Sequence, residues 1–239
     1  MTTKMLLIFD IDGTLLLTGG CGKVALEKAF EEMFGIADCW GDTVPHGKTD
    51  PAIIDAICER LLGRRLTGDE NRLLRDRYHE LLRAEVAITD QYRLMPGITE
   101  LLEHLSRREE IFLALGTGNF ELASRIKLER GGIYHYFKCG GFASDAGERP
   151  GILRHAIRRA EKITGSPIPK ECIYVIGDTI HDVRAAKTVG LRTIAVLTNH
   201  SQKEDFRGSP PDHLLKDLSH IPAFMACLDG LYSLKRIPF

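Results

Sequence analysis

The sequence has little that would draw the protein to nucleic acid or to a membrane. Its 32 Lys and Arg residues nearly balance 33 Asp and Glu residues, and the net charge of -1 provides no field that favours nucleic acid or anionic lipid. No apolar stretch approaches the roughly 20 residues of a membrane span. The opening MTTKMLLIFD holds an apolar run too short for a signal-peptide core, with no small-residue cleavage site after it. We therefore expect neither nucleic acid nor a membrane as a partner.

Paired cysteines and aromatic clusters are also scarce. The six cysteines form no C-x-x-C pair, and several lie in apolar runs, where a free cysteine behaves as a small hydrophobe. A chain of 239 residues can bury a core without disulfides, so we expect a reducing, cytoplasmic location. One Trp and 7% aromatic residues provide little for the aromatic surface cluster of a binding protein. Nothing in the sequence indicates an oligomeric state.

Short apolar runs alternate with amphipathic stretches along most of the chain. Four runs are typical of strands buried on both faces, at 5–9, 111–115, 172–176 and 193–197. Helical patterns lie between them, one after Pro96-Gly97 and others over 120–130 and 150–164. This alternation predicts an α/β fold with a doubly wound, parallel-sheet, Rossmann-like core. The tail is expected to add an edge strand at 213–218 and a terminal helix at 221–228.

Segment 18–91 departs from this alternation. It contains no run typical of a buried strand, and it carries three helical patterns. Glycines at 19, 20 and 22 tolerate many backbone angles and could act as a hinge where the segment begins. We interpret 18–91 as an α-helical cap domain inserted into the core domain, which residues 1–17 and 92–239 would form.

A pair of acids follows the first apolar run, in Asp10-Ile11-Asp12-Gly13-Thr14. In an open parallel sheet, ligands bind beyond the carboxyl ends of the strands, and Gly13 permits the chain to curl so that both acids face that crevice. One carboxylate could attack a phosphorus atom while the other protonates the leaving oxygen and later activates water. The alternative is an ordinary turn, because Asp-Gly is common in turns.

A second acidic pair follows the third run, where Asp178 falls at the end of the strand and Asp182 in the first turn of the next helix. Asp178 beside Asp10 would repel it strongly unless a cation lay between them. Mg2+ takes oxygen ligands and keeps several waters, so a few carboxylates suffice. The two strand ends therefore predict a metal site. Asp182 could equally be an acid that interacts with the helix dipole.

Two further groups could bind an anion. Thr117 and Gly118 follow the second run, where a hydroxyl and backbone N–H groups before a helix favour negative charge. Thr117 could also cap that helix, with or without a bound anion. Arg149 precedes Pro150 at the start of another helical pattern and could neutralise phosphoryl oxygens. Most Arg residues at such a place are nevertheless surface residues.

Together these groups resemble the four motifs of the haloacid dehalogenase superfamily, in the same order and at matching intervals. The corresponding segments are Asp10-Ile11-Asp12-Gly13-Thr14, Thr117, Arg149-Pro150, and Gly177-Asp178-Thr179 with Asp182. The resemblance covers essentially the whole chain, including a helical cap after the first motif. It implies a Mg2+-dependent phosphatase that hydrolyses a small phosphorylated metabolite through a phospho-aspartate, similar to phosphoglycolate phosphatases.

The resemblance also implies a role for each residue. Asp10 would be the nucleophile and Asp12 the general acid and base. Mg2+ would be held by the Asp10 carboxylate, the Asp12 backbone carbonyl and Asp178, with Asp182 supporting it through water. The groups that would bind the transferring phosphoryl group are Thr117, the Gly118 N–H and Arg149.

Two features refine this resemblance. Family members that cleave carbon–halogen or carbon–phosphorus bonds typically lack an acid two residues after the nucleophile, so Asp12 favours phosphate-ester chemistry. The third motif usually has Lys, whereas this chain has Arg149. The charge is kept, but a guanidinium is planar, larger and reaches differently. Lys138 could approach from elsewhere in its place.

The loop from His46 to Asp50 resembles the family's cap loop that touches substrate. His46, Lys48 and Thr49 are therefore candidate substrate residues. Alternatively, Thr49 and Asp50 only cap the next helix, with Asp50 a plausible N-cap, and Lys48 is solvated.

Two other functions stay open. The first is a phosphomutase resembling β-phosphoglucomutase, which would need slow hydrolysis of phospho-Asp10 and a cap that holds a sugar while it reorients. The second is a binding protein that keeps the fold without the chemistry, although the presence of all four acids argues against it. The sequence does not indicate which metabolite is the substrate, because residues of the cap decide that.

Overall fold

The computed structural model describes residues 5–41, 43, 47–198 and 201–228. Its strands are β1 (Met5–Phe9), β2 (Leu16–Leu17), β3 (Arg93–Leu94), β4 (Ile111–Gly116), β5 (Cys139–Gly141), β6 (Ile173–Gly177), β7 (Arg192–Val196) and β8 (His213–Leu215). Its helices are α1 (Cys21–Phe34), α2 (Asp50–Leu62), α3 (Gly68–Ile88), α4 (Ile98–Ser106), α5 (Glu121–Arg130), α6 (Arg149–Thr164), α7 (Ile180–Thr188) and α8 (Ile221–Leu228).

Among the described residues, six strands form one sheet in the order β5-β4-β1-β6-β7-β8. Every neighbouring pair in it is parallel. The predicted parallel α/β fold is therefore confirmed. β1 lies between β4 and β6, with Phe9 opposite both Leu115 and Ile176. The carboxyl ends of these three strands consequently meet at one edge of the sheet.

The sheet is covered on both faces, as the continuous apolar runs require. Alternate residues of β1 point to opposite sides. Leu7 and Phe9 pack with α4 and α8, whereas Leu6 and Ile8 pack with α6 and α7. This arrangement is the doubly wound form of the fold.

Helices α1, α2 and α3 build a separate apolar cluster around Phe30, Ile57 and Leu82. Helix α3 begins with a capping box, in which Thr67 and Glu70 each bond the other's backbone N–H. Phe120, just before α5, and Ile126, within α5, also belong to this cluster. Of the three helices predicted to form the cap, α3 packs directly on α5.

The structure adds elements that sequence patterns did not predict. β2 and β3 form a two-residue antiparallel pair at the two places where the chain passes between the predicted core and the cap. β5, with sequence CGG, has only three residues and no apolar run. The predicted edge strand at 213–218 is shorter and ends at Leu215. In the described part of the chain, no helix combines the length and apolarity needed to cross a membrane.

Candidate active site

The polar residues predicted for the site lie directly after neighbouring parallel strands. Asp10 follows β1, Thr117 follows β4 and Asp178 follows β6. Since β1 lies between the other two strands, these side chains meet at the carboxyl edge of the sheet. Asp182 joins them from the first turn of α7, where its carboxylate also forms a capping box with Thr179.

Asp10, Asp178 and Asp182 form a buried carboxylate cluster. Each offers an oxygen within 4.8 Å of the others, and each is at most 4% exposed. Burial, followed by repulsion from Asp182, raises the pKa of Asp10 to about 7. Burial and the charges of Asp182 and Asp10 raise the pKa of Asp178 to about 8. Three buried acids this close need a cation to ionise together, so their oxygen donors fit Mg2+.

Gly13 gives Asp178 the space it occupies. Its φ of 83° is in the left-handed region, and a Cβ at this position would lie 2.2 Å from Asp178 Oδ2. The Thr14 hydroxyl donates to Asp178 Oδ1 at 3.3 Å, and the Thr198 hydroxyl donates to the Gly13 carbonyl. The curl after β1 is thus specified by one glycine and fixed by two hydroxyls.

Arg149 reaches the carboxylate cluster from the start of α6. Its guanidinium pairs with Asp182, lies 3.7 Å from Asp10 Oδ2 and donates through Nε to the Gly47 carbonyl at 3.1 Å. The side chain is only 14% exposed. Lys138, the alternative cation, is exposed and lines a different cavity. Of these two candidates, the structure brings Arg149 to the cluster.

Asp12 lines the cavity and forms an ion pair with a buried lysine that lines it too. Its side chain is 41% exposed, and both of its oxygens lie 2.8 Å from the Lys127 ammonium. Asn119 Nδ2 donates to Asp12 Oδ2 at 2.7 Å. Burial by itself would lower the pKa of Lys127, but Asp12 and Asp50 together raise it, so the ammonium stays charged.

Sequence reasoning missed Lys127 and Asn119. Lys127 stands among other charged residues in its helix, and lysine is seldom fully buried. Asn119 follows the predicted anion loop and could have been noticed as a polar neighbour of Thr117. The Thr117 hydroxyl accepts from the Asn119 side chain at 2.9 Å. Thr117 does not cap α5, whose N-cap residue is Phe120.

The predicted cap residues have different outcomes. His46 lies outside the described residues, and Lys48 is exposed and lines the cavity. Thr49, rather than Asp50, is the N-cap of α2, so that part of the prediction was wrong by one residue. The Thr49 hydroxyl also donates to the Gly147 carbonyl at 3.4 Å. Thr49 is not among the residues that line the cavity.

Asp50 joins the cap to the loop after β4. Its N–H donates to the Gly118 carbonyl at 2.8 Å, and its carboxylate accepts from the Phe120 N–H at 2.8 Å. A Cβ on Gly118 would lie 2.8 Å from the Lys48 carbonyl, so only glycine permits this approach. Burial raises the pKa of Asp50 to about 6, although Lys127 and the Phe120 N–H act in the opposite direction.

A cavity of about 410 Å³ lies between the cap and these residues. Its floor holds Asp10, Asp12, Asp178 and Arg149, with Thr117, Gly118 and Lys127 beside them. The wall from segment 18–91 has the apolar members Leu26, Trp40, Ile53, Ile54 and Tyr78, and its charged members are Lys23, Lys48 and Asp50. The cavity therefore combines a charged end with an apolar wall, as ligand sites commonly do.

A family model for haloacid dehalogenase-like hydrolases matches residues 4–190. The chain belongs to this family of hydrolases, and the predicted family resemblance is confirmed.

Similar proteins cover almost the whole chain. A phosphoglycolate phosphatase of Aquifex aeolicus (strain VF5) is 26% identical in an alignment of 223 residues that covers 91% of this chain and 99% of that protein. Protein CbbY of Cereibacter sphaeroides is 25% identical, over 90% of this chain and 93% of its own. A mutant CbbY from Rhodobacter sphaeroides, crystallised with xylulose-(1,5)bisphosphate, superposes with a TM-score of 0.71 and 22% identity. That alignment covers 91% of this chain and 96% of the CbbY chain, and at this identity it supports the fold.

Proposed function

We propose that this hydrolase is a Mg2+-dependent phosphatase that acts on a small phosphorylated metabolite through a phospho-aspartate on Asp10. The observation that carries the proposal is the buried cluster of Asp10, Asp178 and Asp182 beside the Arg149 guanidinium. Such a site concentrates oxygen donors and positive charge around one potential nucleophile, as phosphoryl transfer requires. The cavity-facing Asp12 supplies a second carboxylate for proton transfer.

In the first step, an Asp10 oxygen attacks phosphorus in line with the ester oxygen. The new phosphorus–oxygen bond forms as the bond to the leaving group breaks, and Asp12 donates a proton to the departing alkoxide. In the second step, Asp12 accepts a proton from water, and this water attacks the phosphoryl group. Inorganic phosphate leaves, and Asp10 is regenerated as a carboxylate.

The proposed metal ligands are the Asp10 carboxylate, the Asp12 backbone carbonyl and Asp178, with Asp182 supporting through water. Bound Mg2+ would neutralise the negative charge shared by these acids and the phosphoryl group. Around it, the proposed phosphoryl-binding groups are Thr117, the Gly118 N–H and Arg149. Arg149 would replace the usual lysine, because a guanidinium extending from α6 already lies 3.7 Å from Asp10.

The substrate is proposed to be small, because the cavity of about 410 Å³ must also hold the phosphoryl group. A phosphorylated metabolite is in keeping with the relatives, one named a phosphoglycolate phosphatase and one crystallised with xylulose-(1,5)bisphosphate. Lys48 on the cap is a candidate contact to the end of the substrate farthest from the phosphate.

The test is release of phosphate from a panel of sugar and carboxylate phosphates, with Mg2+ and with a chelator. We expect metal-dependent release that Asp10→Asn abolishes, because this change keeps the side-chain volume and removes the nucleophile. Asp76→Asn, at an exposed acid in the cap, is the matched control and should retain activity. Comparable turnover by Asp10→Asn would refute the covalent mechanism. Formation of a phosphate isomer without release would favour the mutase.

A further inference from the structure

Lys127 is a buried lysine with a defined set of acceptors. Its ammonium lies 2.8 Å from both oxygens of Asp12 and 2.7 Å from Asn119 Oδ1. Asn119 in turn donates to Asp12 Oδ2 at 2.7 Å. The Asp12 carboxylate is thereby held by three hydrogen bonds from two side chains that line the same cavity.

We propose that Lys127 is a positioning residue for Asp12, keeping its carboxylate in the orientation that reaches the leaving oxygen and then the attacking water. The inference rests on the proposed phosphatase function. It assigns Lys127 to the placement of the acid and base, a task distinct from the charge neutralisation proposed for Arg149.

The burial of the two partners is unequal, and this argues that Lys127 serves Asp12. The lysine side chain is 6% exposed, whereas that of Asp12 is 41% exposed. A carboxylate this exposed would be well solvated without a partner, but it would then sample several rotamers. Burying an ammonium is costly unless excellent hydrogen bonds compensate, and here all three acceptor distances are short.

The backbone around Lys127 is also fixed. The Tyr92 hydroxyl donates to the Lys127 carbonyl at 2.9 Å. Phe120 and Ile126 pack α5 into the apolar cluster of the cap. Because α5 is held between core and cap, the ammonium is a rigid anchor for Asp12, as a group that must keep a catalytic geometry requires.

The experiment compares Lys127→Met with the wild type, alone and combined with Asp12→Asn. Met keeps the length and apolar stem of Lys127 and removes the ammonium. The probes are glycerol 3-phosphate, whose alkoxide needs a proton to leave, and p-nitrophenyl phosphate, whose phenolate does not. The measured quantity is kcat/KM, which reports the steps up to formation of the phospho-enzyme.

We expect Lys127→Met to lower kcat/KM for glycerol 3-phosphate about 100-fold, the scale of a lost general acid. The loss for p-nitrophenyl phosphate should be about tenfold smaller, since its leaving group needs no acid. In the Asp12→Asn background, Lys127→Met should change kcat/KM by less than about threefold, because its target is already gone. If Lys127→Met lowers kcat/KM equally in the wild-type and Asp12→Asn backgrounds, the proposal is overturned. That result would indicate that Lys127 contacts the phosphoryl group directly.

Two controls separate the proposal from misfolding and from failure of the phosphatase function. Lys138→Met removes an exposed lysine outside the cavity and should leave kcat/KM unchanged. Asn119→Ala removes one hydrogen bond to Asp12 without removing a buried charge. If Lys127→Met does not fold, Asn119→Ala should still show part of the expected loss in kcat/KM. A crystal structure of either site variant should show the Asp12 carboxylate turned from its position, and an unmoved carboxylate would overturn the proposal. Wild-type turnover that Asp10→Asn abolishes tests the phosphatase function independently.

Discussion

The buried acids Asp10 and Asp178 should make the stability of the metal-free protein fall as pH rises. In the unfolded chain both have a pKa near the model-peptide value of 3.8, whereas burial and mutual repulsion raise it to about 7 for Asp10 and about 8 for Asp178. The folded protein therefore holds protons that the unfolded chain has already released. This stabilising contribution is complete below the unfolded pKa and is lost as pH rises through the folded values.

The size of the effect follows from Asp10 alone. While the folded state holds one extra proton, each pH unit lowers the free energy of unfolding by about 1.4 kcal/mol, so about 2 kcal/mol is lost between about pH 5.5 and pH 7. Asp178 adds a loss of the same sign that continues to about pH 8. In a protein of this size 1 kcal/mol corresponds to about 2–4 °C in Tm, so Asp10 alone predicts a fall of about 4–8 °C.

Magnesium should reverse this loss, because it binds the ionised carboxylates and competes with protons. At about one hundred times its Kd, it would add about 2.7 kcal/mol of stability. The assay is thermal unfolding with Mg2+ and with chelator, at about pH 5.5 and about pH 8, where the Mg2+-induced rise in Tm should be larger at the higher pH. Asp178→Asn should weaken both effects, and Asp76→Asn should keep them. A metal-free Tm that is constant or rises with pH, or an equal Mg2+ effect at both pH values, would refute the reasoning.

Two substitutions test the other parts of the site. Arg149→Ala should raise the activation free energy by about 3 kcal/mol, which lowers kcat/KM roughly 100-fold, as expected for one lost electrostatic donor. A change within experimental error would mean that another cation neutralises the phosphoryl group. Gly13→Ala should abolish the Mg2+-induced rise in Tm, because its Cβ would displace Asp178. Gly35→Ala is the control, because Gly35 has a similar positive φ with open space around it. It should lower the free energy of unfolding by only about 1 kcal/mol and keep the Mg2+-induced rise in Tm. An equal rise in Tm in the Gly13 and Gly35 variants would contradict the role given to Gly13.

The convergence of Asp10 and Asp178 could be predicted because each step depends on local sequence. A short apolar run marks a buried strand, and the acid that follows it must lie at the strand's carboxyl end. Parallel strands place all such ends at one edge, so two acids that are 168 positions apart in number become neighbours once their strands pair. Local sequence does not show that β1 and β6 are neighbours in the sheet. The family resemblance indicated that they are.

Lys127 could not be predicted, because its burial is a tertiary property. Within the segment SRIKLER it stands among other charged residues, and lysine is seldom fully buried. In the folded protein α5 packs against α3 of the cap, and this contact encloses the lysine. The burial of Lys127 therefore depends on α3, a helix some 40 residues earlier in the chain. The local sequence around Lys127 does not reveal that contact. The two-residue strands β2 and β3 are unpredictable for a related reason, since two residues carry no pattern.

Thr49 and Asp50 are adjacent at the start of α2, but one caps the helix and the other makes a tertiary contact. Helix α2 needs one N-cap, and Thr49 provides it by accepting from the Ala52 N–H. The Asp50 carboxylate is therefore available to cross to the core, where it accepts from Phe120, while its own N–H donates to Gly118. Opening the cap at this point would break both bonds, at about 1 kcal/mol each. Since Gly118 belongs to the proposed phosphoryl-binding loop, Asp50 couples movement of the cap to the geometry of that loop.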